Sequence, residues 1–292
     1  MNRIKGILYA AVSSSTFGLA PFFSITLLLA GFSAFEVLSY RWGVASIVLI
    51  VFGWLSGCNF RLAGKDWGVV FLLSLLRAVT SFSLIIAYQN IASGVASTIH
   101  FMYPLAVALA MMFFFREKKS LLVILAVLMS LLGAALLSLG ELEAKSGNTM
   151  VGLVAACVSV FSYAGYIVGV RTTRAVQINS TALTCYVMGL GTIFYLIGAY
   201  CTSGLQLVSD GYTWLIILGL ALPATAISNI TLVQAIKYAG PTLTSILGAM
   251  EPLTAVVIGV FVFKELFTVN SAVGIILILL AVSIVVFCRQ KS

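Results

Sequence analysis

Met102-Tyr103-Pro104-Leu105, a stretch that is followed by Phe113–Glu117 (FFFRE), occurs again as Met250-Glu251-Pro252-Leu253, followed by Phe261–Glu265 (FVFKE). The two prolines are 148 residues apart (252 − 104), about half of the 292-residue chain. Similarity at half the chain length indicates a duplicated unit. We therefore predict two units of similar fold, one over residues 1–145 and one over residues 146–292.

The composition is that of a membrane protein. The chain is 62% hydrophobic and 8% charged, and its mean hydropathy is +1.16. A soluble domain carries about 25% charged residues, so a soluble chain this apolar could not cover its surface with polar side chains. The net charge of +8 lies in short clusters between apolar runs. That placement disfavours nucleic-acid binding, which uses a continuous basic surface.

The apolar runs predict an all-α membrane protein with ten spans. A bilayer core requires about 20 apolar residues per helix. Ten runs meet this length: 5–30, 34–56, 67–89, 93–115, 120–139, 150–170, 180–202, 212–236, 241–263 and 268–288. The loops between them are short, so neighbouring spans are expected to run antiparallel.

Lysine and arginine positions predict that both termini are cytoplasmic. With the N-terminus inside, the cytoplasmic side receives twelve basic residues: Arg3, Lys5, Arg61, Lys65, Arg116, Lys118, Lys119, Arg171, Arg174, Lys237, Arg289 and Lys291. The outer side receives two, Lys145 and Lys264. This bias fits the excess of basic residues in cytoplasmic loops. Because each unit has an odd number of spans, the second unit enters from the opposite side, which gives an inverted repeat.

The repeated residues resemble those of a known family. Tyr103-Pro104-Leu105 with Glu117, and Glu251-Pro252-Leu253 with Glu265, are similar to the EamA branch of the drug/metabolite transporter (DMT) superfamily. The resemblance covers nearly the whole chain and specifies no substrate. It implies a bacterial inner-membrane permease, in which spans from both halves line a central cavity and the last span of each half is peripheral.

Two charged residues fall in the middle of predicted spans. Glu251 lies about ten residues into the ninth span, where a carboxylate is costly unless it is paired, protonated or in contact with water. It is expected to bind a substrate ammonium or couple a proton, or else to be a structural ligand beside the helix break at Pro252. Arg77 occupies a similar depth in the third span and remains charged. It is expected either to bind substrate or to pair with Glu251.

Other polar residues are weaker candidates. His100, one turn before the helix break at Pro104, and Tyr103 beside it could contact substrate or relay a proton, or form a helix–helix contact. Tyr163 and Tyr166 share a face of the sixth span, and Asn229 follows in the eighth. Arg41, near the start of the second span, is expected to snorkel to the membrane surface or to pair locally with Glu36.

These residues favour a secondary transporter that works by alternating access. Arg77 and Glu251 together suit a zwitterion, so amino acids or similar amphiphiles are the leading substrate hypothesis, with proton coupling open. One alternative is a transporter of organic anions or sugar conjugates, in which Glu251 is structural.

Three further alternatives receive little support from the sequence. An intramembrane enzyme would require a nucleophile with a base, paired aspartates or a metal cluster inside the spans. The sequence has one histidine and neither a GxSxG nor an HExxH motif, so an enzyme is not expected. The five cysteines have no metal-ligand spacing, and no metal or cofactor is expected. A passive channel and direct ATP drive are disfavoured because no filter motif or P-loop is visible.

Overall fold

The computed structural model describes residues 2–91, 93–117, 121–138, 147–202, 204–251, 253–254 and 269–288. All regular secondary structure in these residues is helical. The helices are α1 Asn2–Phe17, α2 Ala20–Leu29, α3 Ala34–Leu55, α4 Trp67–Asn90, α5 Ser93–His100, α6 Tyr103–Phe113, α7 Leu121–Ser138, α8 Thr149–Thr172, α9 Ser180–Cys201, α10 Gly211–Ala221, α11 Ser228–Ala239, α12 Pro241–Leu247 and α13 Val269–Cys288.

Within the described residues, seven helical stretches are long and apolar enough to cross a membrane. They are Arg3–Leu29, Ala34–Leu55, Gly64–Asn90, Val95–Phe113, Thr149–Thr172, Ser180–Cys201 and Gly211–Ala239. Leu121–Gly133 and Ala272–Ile284 are shorter apolar helices at the predicted fifth and tenth spans. The predicted run 241–263 lies largely outside the described residues. The prediction of an all-helical, multi-pass chain agrees with this architecture, whereas the count of ten spans stays a prediction.

Polar side chains at the helix starts satisfy backbone N–H groups that have no partner within the helix. At the start of α3, the Ser33 hydroxyl accepts a hydrogen bond from the N–H of Glu36, and the Glu36 carboxylate accepts one from the N–H of Ser33, which is a capping box. The side chains of Asn148, Asn179 and Asp210 each accept hydrogen bonds from backbone N–H groups at the starts of α8, α9 and α10. The backbone hydrogen bond from Thr213 lowers the pKa of the Asp210 carboxyl.

The closest helix pairs are α1 with α11, α3 with α9, α4 with α8, and α7 with α13. A shift of 148 residues relates α1 to α8, α3 to α9, α4 to α10 and α11, and α7 to α13. Exchange of the two halves therefore converts the pair α1–α11 into the pair α4–α8, and it leaves the pairs α3–α9 and α7–α13 unchanged. This pattern fits a two-repeat architecture.

Small residues allow the paired helices to approach closely. On α9, a Cβ at Gly191 would lie 2.0 Å from the Trp42 ring of α3, and Trp42 is almost completely buried. On α8, a Cβ at Gly169 would lie 2.8 Å from the Leu73 side chain of α4. Small residues at such contacts are typical of helix packing in membranes, where van der Waals contact drives association.

In the part of the chain that the structure describes, four of the predicted spans are interrupted within the bundle. The first is interrupted between Phe17 and Ala20, and the fourth between His100 and Tyr103, with Pro104 in the first turn of α6. In the eighth span, a π-helical turn over Leu222–Ile227 joins α10 to α11, and in the ninth, a turn at residues 248–249 follows α12. Interruptions of this kind release backbone groups that can bind ligands or side chains.

Candidate functional site

Arg77 is the most deeply buried charged residue among the described residues, and it lies between the interrupted spans. Its Nε donates a hydrogen bond of 3.0 Å to Oδ1 of Asn229. The Asn229 side-chain Nδ2 donates in turn to the backbone oxygen of Thr225 at 2.7 Å, so its oxygen is held toward Arg77. Nη1 of Arg77 is buried without a hydrogen-bond partner among the described residues. The protein thus binds Nε of this buried guanidinium, while Nη1 remains available as a donor for another group.

Aromatic rings surround the Arg77 guanidinium. Its central carbon lies 5.3 Å from the ring centroid of Phe17, 4.9 Å from that of Tyr163 and 5.9 Å from that of Tyr166. A cation at these distances from an aromatic face is stabilised by the negative charge of the π-system. Such contacts help to offset the cost of burying Arg77 without using a carboxylate.

Arg41 lies in the same site, which corrects the prediction that it snorkels or pairs with Glu36. Its side chain is buried, its Nε donates to Oγ1 of Thr225 at 2.7 Å, and its Nη2 donates to the backbone oxygen of Ala224 at 3.4 Å. The Glu36 carboxylate instead accepts hydrogen bonds from the backbone N–H groups of Ser33 and Gln206. The π-helical turn explains the difference, because its Ala224 carbonyl and Thr225 hydroxyl accept hydrogen bonds from Arg41 inside the bundle.

His100, Tyr103, Tyr163 and Tyr166 form one buried cluster beside Arg77. The His100 and Tyr163 rings lie 5.3 Å apart, those of Tyr103 and Tyr163 4.6 Å apart, and the parallel rings of Tyr163 and Tyr166 6.5 Å apart. Nδ1 of His100 is 2.8 Å from Oγ of Ser159. Nε2 of His100 and the Tyr166 hydroxyl are buried without a partner in the described part of the chain. Two donors or acceptors therefore remain for other groups.

Glu251 is half-buried and is the second residue of the helical segment that follows the turn at residues 248–249. Among the described residues, the cations that interact electrostatically with its carboxyl group are Arg77 and Arg41. The hydrogen bonds found for Arg77 go to Asn229, and none joins it to Glu251 within the described residues. The site thus holds two buried cations around one carboxyl group that is not bonded to Arg77.

Tyr103 connects the two interrupted spans that carry the repeated motif. A Cβ at Gly248 would lie 1.8 Å from the Tyr103 hydroxyl oxygen, so this contact requires glycine. Gly248 is the repeat counterpart of His100, and Glu251 is the counterpart of Tyr103. The residues at which the two halves differ therefore meet at one place in the fold.

Both arginines line a small cavity. Its walls include Phe17, Pro21, Ser24, Arg41, Arg77 and Tyr88, and its volume is about 10 Å³ as the space open to the centre of a water molecule. That volume is about one water molecule. A metabolite the size of an amino acid does not fit, so this conformation is closed around the site.

The EamA-like transporter family matches the chain over residues 4–139 and again over residues 150–287. The chain belongs to this family. A curated protein of Archaeoglobus fulgidus, described as an uncharacterized transporter, is 28% identical to this EamA-like transporter over 238 residues, which are 80% of this chain and 83% of that protein. A crystal structure of another protein covers 99% of this chain and 98% of its own with a TM-score of 0.80. At 17% identity, that likeness shows the fold alone.

The fold of this EamA-like transporter brings together most of the residues named from its sequence. Arg77, Asn229, Tyr163 and Tyr166 are in contact, and His100 and Tyr103 join them through Tyr163. Pro104 lies at the interruption of the fourth span, and Pro252 lies outside the described residues. Substrate binding by these residues stays a prediction.

Sequence reasoning missed Arg41, Phe17 and Thr225 as parts of this site. Arg41 is seven residues into α3, about 10 Å at 1.5 Å per residue, which is deeper than a snorkelling position at the helix end. That depth was the available signal. Phe17 and Thr225 give no comparable signal, because an apolar ring and a hydroxyl are ordinary residues in a membrane helix.

Proposed function

We propose that this EamA-like membrane transporter moves small molecules that carry a carboxylate and an ammonium group, such as amino acids or similar amphiphiles. The observation that carries the proposal is the buried Arg77 guanidinium, which keeps Nη1 without a partner among the described residues at the wall of a cavity. A substrate carboxylate would accept from that donor and stabilise the buried charge. The aromatic cluster would contact the apolar part of the substrate.

The transport cycle we propose is alternating access. Ten spans, arranged as inverted five-span units with a boundary near residue 145 and both termini in the cytoplasm, would rock around the Arg77 site in the cell's inner membrane. The helix pairs that are conserved under exchange of the halves support this arrangement. The closed cavity fits an intermediate through which the cycle passes.

Glu251 has two roles to be distinguished. As an ionised group it would bind the substrate ammonium, and as an exchangeable site it would couple transport to protons. Coupling predicts that an imposed pH gradient drives accumulation in wild-type proteoliposomes and that Glu251→Gln abolishes the drive while exchange across the membrane continues.

A second candidate is a transporter of organic anions, including sugar conjugates, in which Glu251 is structural. Two buried arginines favour it, because the hydrogen bonds that they make within the described residues go to Thr225, Ala224 and Asn229 and not to Glu251. In this case Glu251→Gln would transport at nearly the wild-type rate, and substrates without an amino group would move as fast as zwitterions.

The test is a flux screen with purified protein in liposomes. Vesicles loaded with a mixture of the common L-amino acids or with a mixture of organic acids are diluted into medium that contains the radiolabelled compounds one at a time. We expect exchange of at least one amino acid above protein-free vesicles. Exchange confined to organic acids without an amino group would favour the second candidate, and the absence of any amino-acid exchange would contradict the proposed function.

A further inference from the structure

We propose that Arg41 binds a second acidic group of the substrate, so that the preferred substrates are acidic amino acids with two carboxylates and one ammonium. This inference rests on the proposed function and narrows it. From the sequence alone Arg41 is expected outside the site, because a cation near the start of a span usually reaches the membrane surface. Its contacts in the folded chain carry the proposal.

Arg41 and Arg77 are two arms of one site. Their guanidinium carbons lie 5.5 Å and 5.3 Å from the centroid of the same Phe17 ring, and both side chains line the same cavity. Both are also held by one short segment, because Nε of Arg41 donates to Thr225 and Nε of Arg77 donates to Asn229, one helical turn later. The two cations are therefore held relative to each other by the π-helical turn and the first turn of α11 that follows it.

The charge balance of the site points to a substrate with a net charge of −1. Arg41 and Arg77 are both buried, and Glu251 is the carboxyl group that interacts electrostatically with Arg41. With Glu251 ionised, these three described residues leave one excess positive charge at the site, which is costly in a membrane. A neutral zwitterion would leave that excess in place. Two carboxylates and one ammonium would cancel it, with each group opposite a residue of the other sign.

The site would discriminate between substrates more strongly by the charge of the side chain than by its size. L-Glutamate and L-glutamine have nearly the same shape and differ in the carboxylate that would face Arg41. A site built to bind a charged group rejects an analogue without it strongly, because the buried polar partner is then left unpaired. An alternative occupant is a small inorganic anion, such as chloride, which would bind Arg41 beside a neutral amino acid.

The experiment compares L-glutamate, L-glutamine and glutarate in binding and counterflow with purified full-length protein in nanodiscs and liposomes. We expect the wild type to bind L-glutamate at least about tenfold more tightly than L-glutamine, with or without chloride, and more tightly than glutarate, which lacks the ammonium. Arg41→Gln should remove the preference for L-glutamate over L-glutamine, so that the ratio of the two affinities falls to about one. Arg61→Gln, which removes an exposed arginine outside the spans, is the matched control and should retain the preference.

Thr225→Val provides a second variant of nearly the same volume. It removes the hydroxyl that accepts from Nε of Arg41, and we expect the ratio of L-glutamate affinity to L-glutamine affinity to fall below that of the wild type. If L-glutamine binds the wild type as tightly as L-glutamate, or binds only with chloride, Arg41 does not read a second acidic group. In that outcome the proposed function stands. If the wild type moves no amino acid, the proposed function itself fails.

Discussion

Replacement of Asn229 by aspartate places a fixed carboxylate where the amide oxygen now accepts from Nε of Arg77 at 3.0 Å. The new group stays ionised beside the guanidinium. Its attraction to Arg77 offsets much of the cost of its own burial, so we expect the free energy of unfolding to change by less than about 1–2 kcal/mol. Asn229→Leu has a similar size and no acceptor. This substitution leaves Nε of Arg77 unpaired, so the free energy of unfolding should fall by about 1.5–3 kcal/mol.

Ligand affinity should follow the reverse order: Asn229→Asp, the more stable variant, should bind ligand more weakly than Asn229→Leu. A substrate carboxylate at Nη1 would lie roughly 6 Å from the aspartate, where two like charges repel by about 2.8 kcal/mol at an effective dielectric constant of about 20. That energy is about a 100-fold loss of affinity. We expect Asn229→Asp to lose binding of L-glutamate and L-glutamine while Asn229→Leu retains it. The measurements are thermal unfolding in detergent and ligand titration in nanodiscs. Unchanged affinity in Asn229→Asp would refute a carboxylate site at Arg77.

Three further substitutions test the packing around the site. Gly248→Ala puts a Cβ 1.8 Å from the Tyr103 hydroxyl, so it should lower the unfolding temperature, and Tyr103→Phe in the same chain should restore part of the loss; no recovery would contradict this contact. Gly191→Ala puts a Cβ 2.0 Å from the buried Trp42 ring and should lower the free energy of unfolding by about 1–3 kcal/mol. An unchanged unfolding temperature would disprove this expectation. Glu36→Gln weakens the hydrogen bonds that the carboxylate accepts from the N–H groups of Ser33 and Gln206, so amide hydrogen exchange should accelerate in the segment 204–208. Equal exchange rates in the variant and the wild type would contradict this role of Glu36.

The large features of the fold could be predicted from the sequence because the bilayer imposes them. Apolar length, short loops and the repeated Tyr-Pro-Leu and Glu-Pro-Leu segments were sufficient for an all-helical, multi-pass chain of two repeats, and the family match agrees. The mid-span depth of Arg77 was sufficient to place it inside the bundle, where it is 1% exposed. In each case the cost of a polar group in hydrocarbon leaves few arrangements.

The partners of these residues could not be predicted, because they depend on local helix geometry. The π-helical turn at Leu222–Ile227 rotates Thr225 and Asn229 toward the two arginines, and periodicity alone does not reveal such a turn. Arg41 was misassigned for this reason. The sequence offered Glu36 as its nearest acid, but the helix start required Glu36 as a cap.

The central claim is that Arg77 binds the carboxylate of a transported amino acid, and counterflow of radiolabelled L-glutamate and L-glutamine into proteoliposomes tests it most directly. Wild type, Arg77→Gln and Arg61→Gln are compared at equal protein density, after each has been shown to be monodisperse and folded. We predict that wild type and Arg61→Gln exchange label and that Arg77→Gln reaches only the level of protein-free vesicles. Exchange by Arg77→Gln at the wild-type rate would contradict the account.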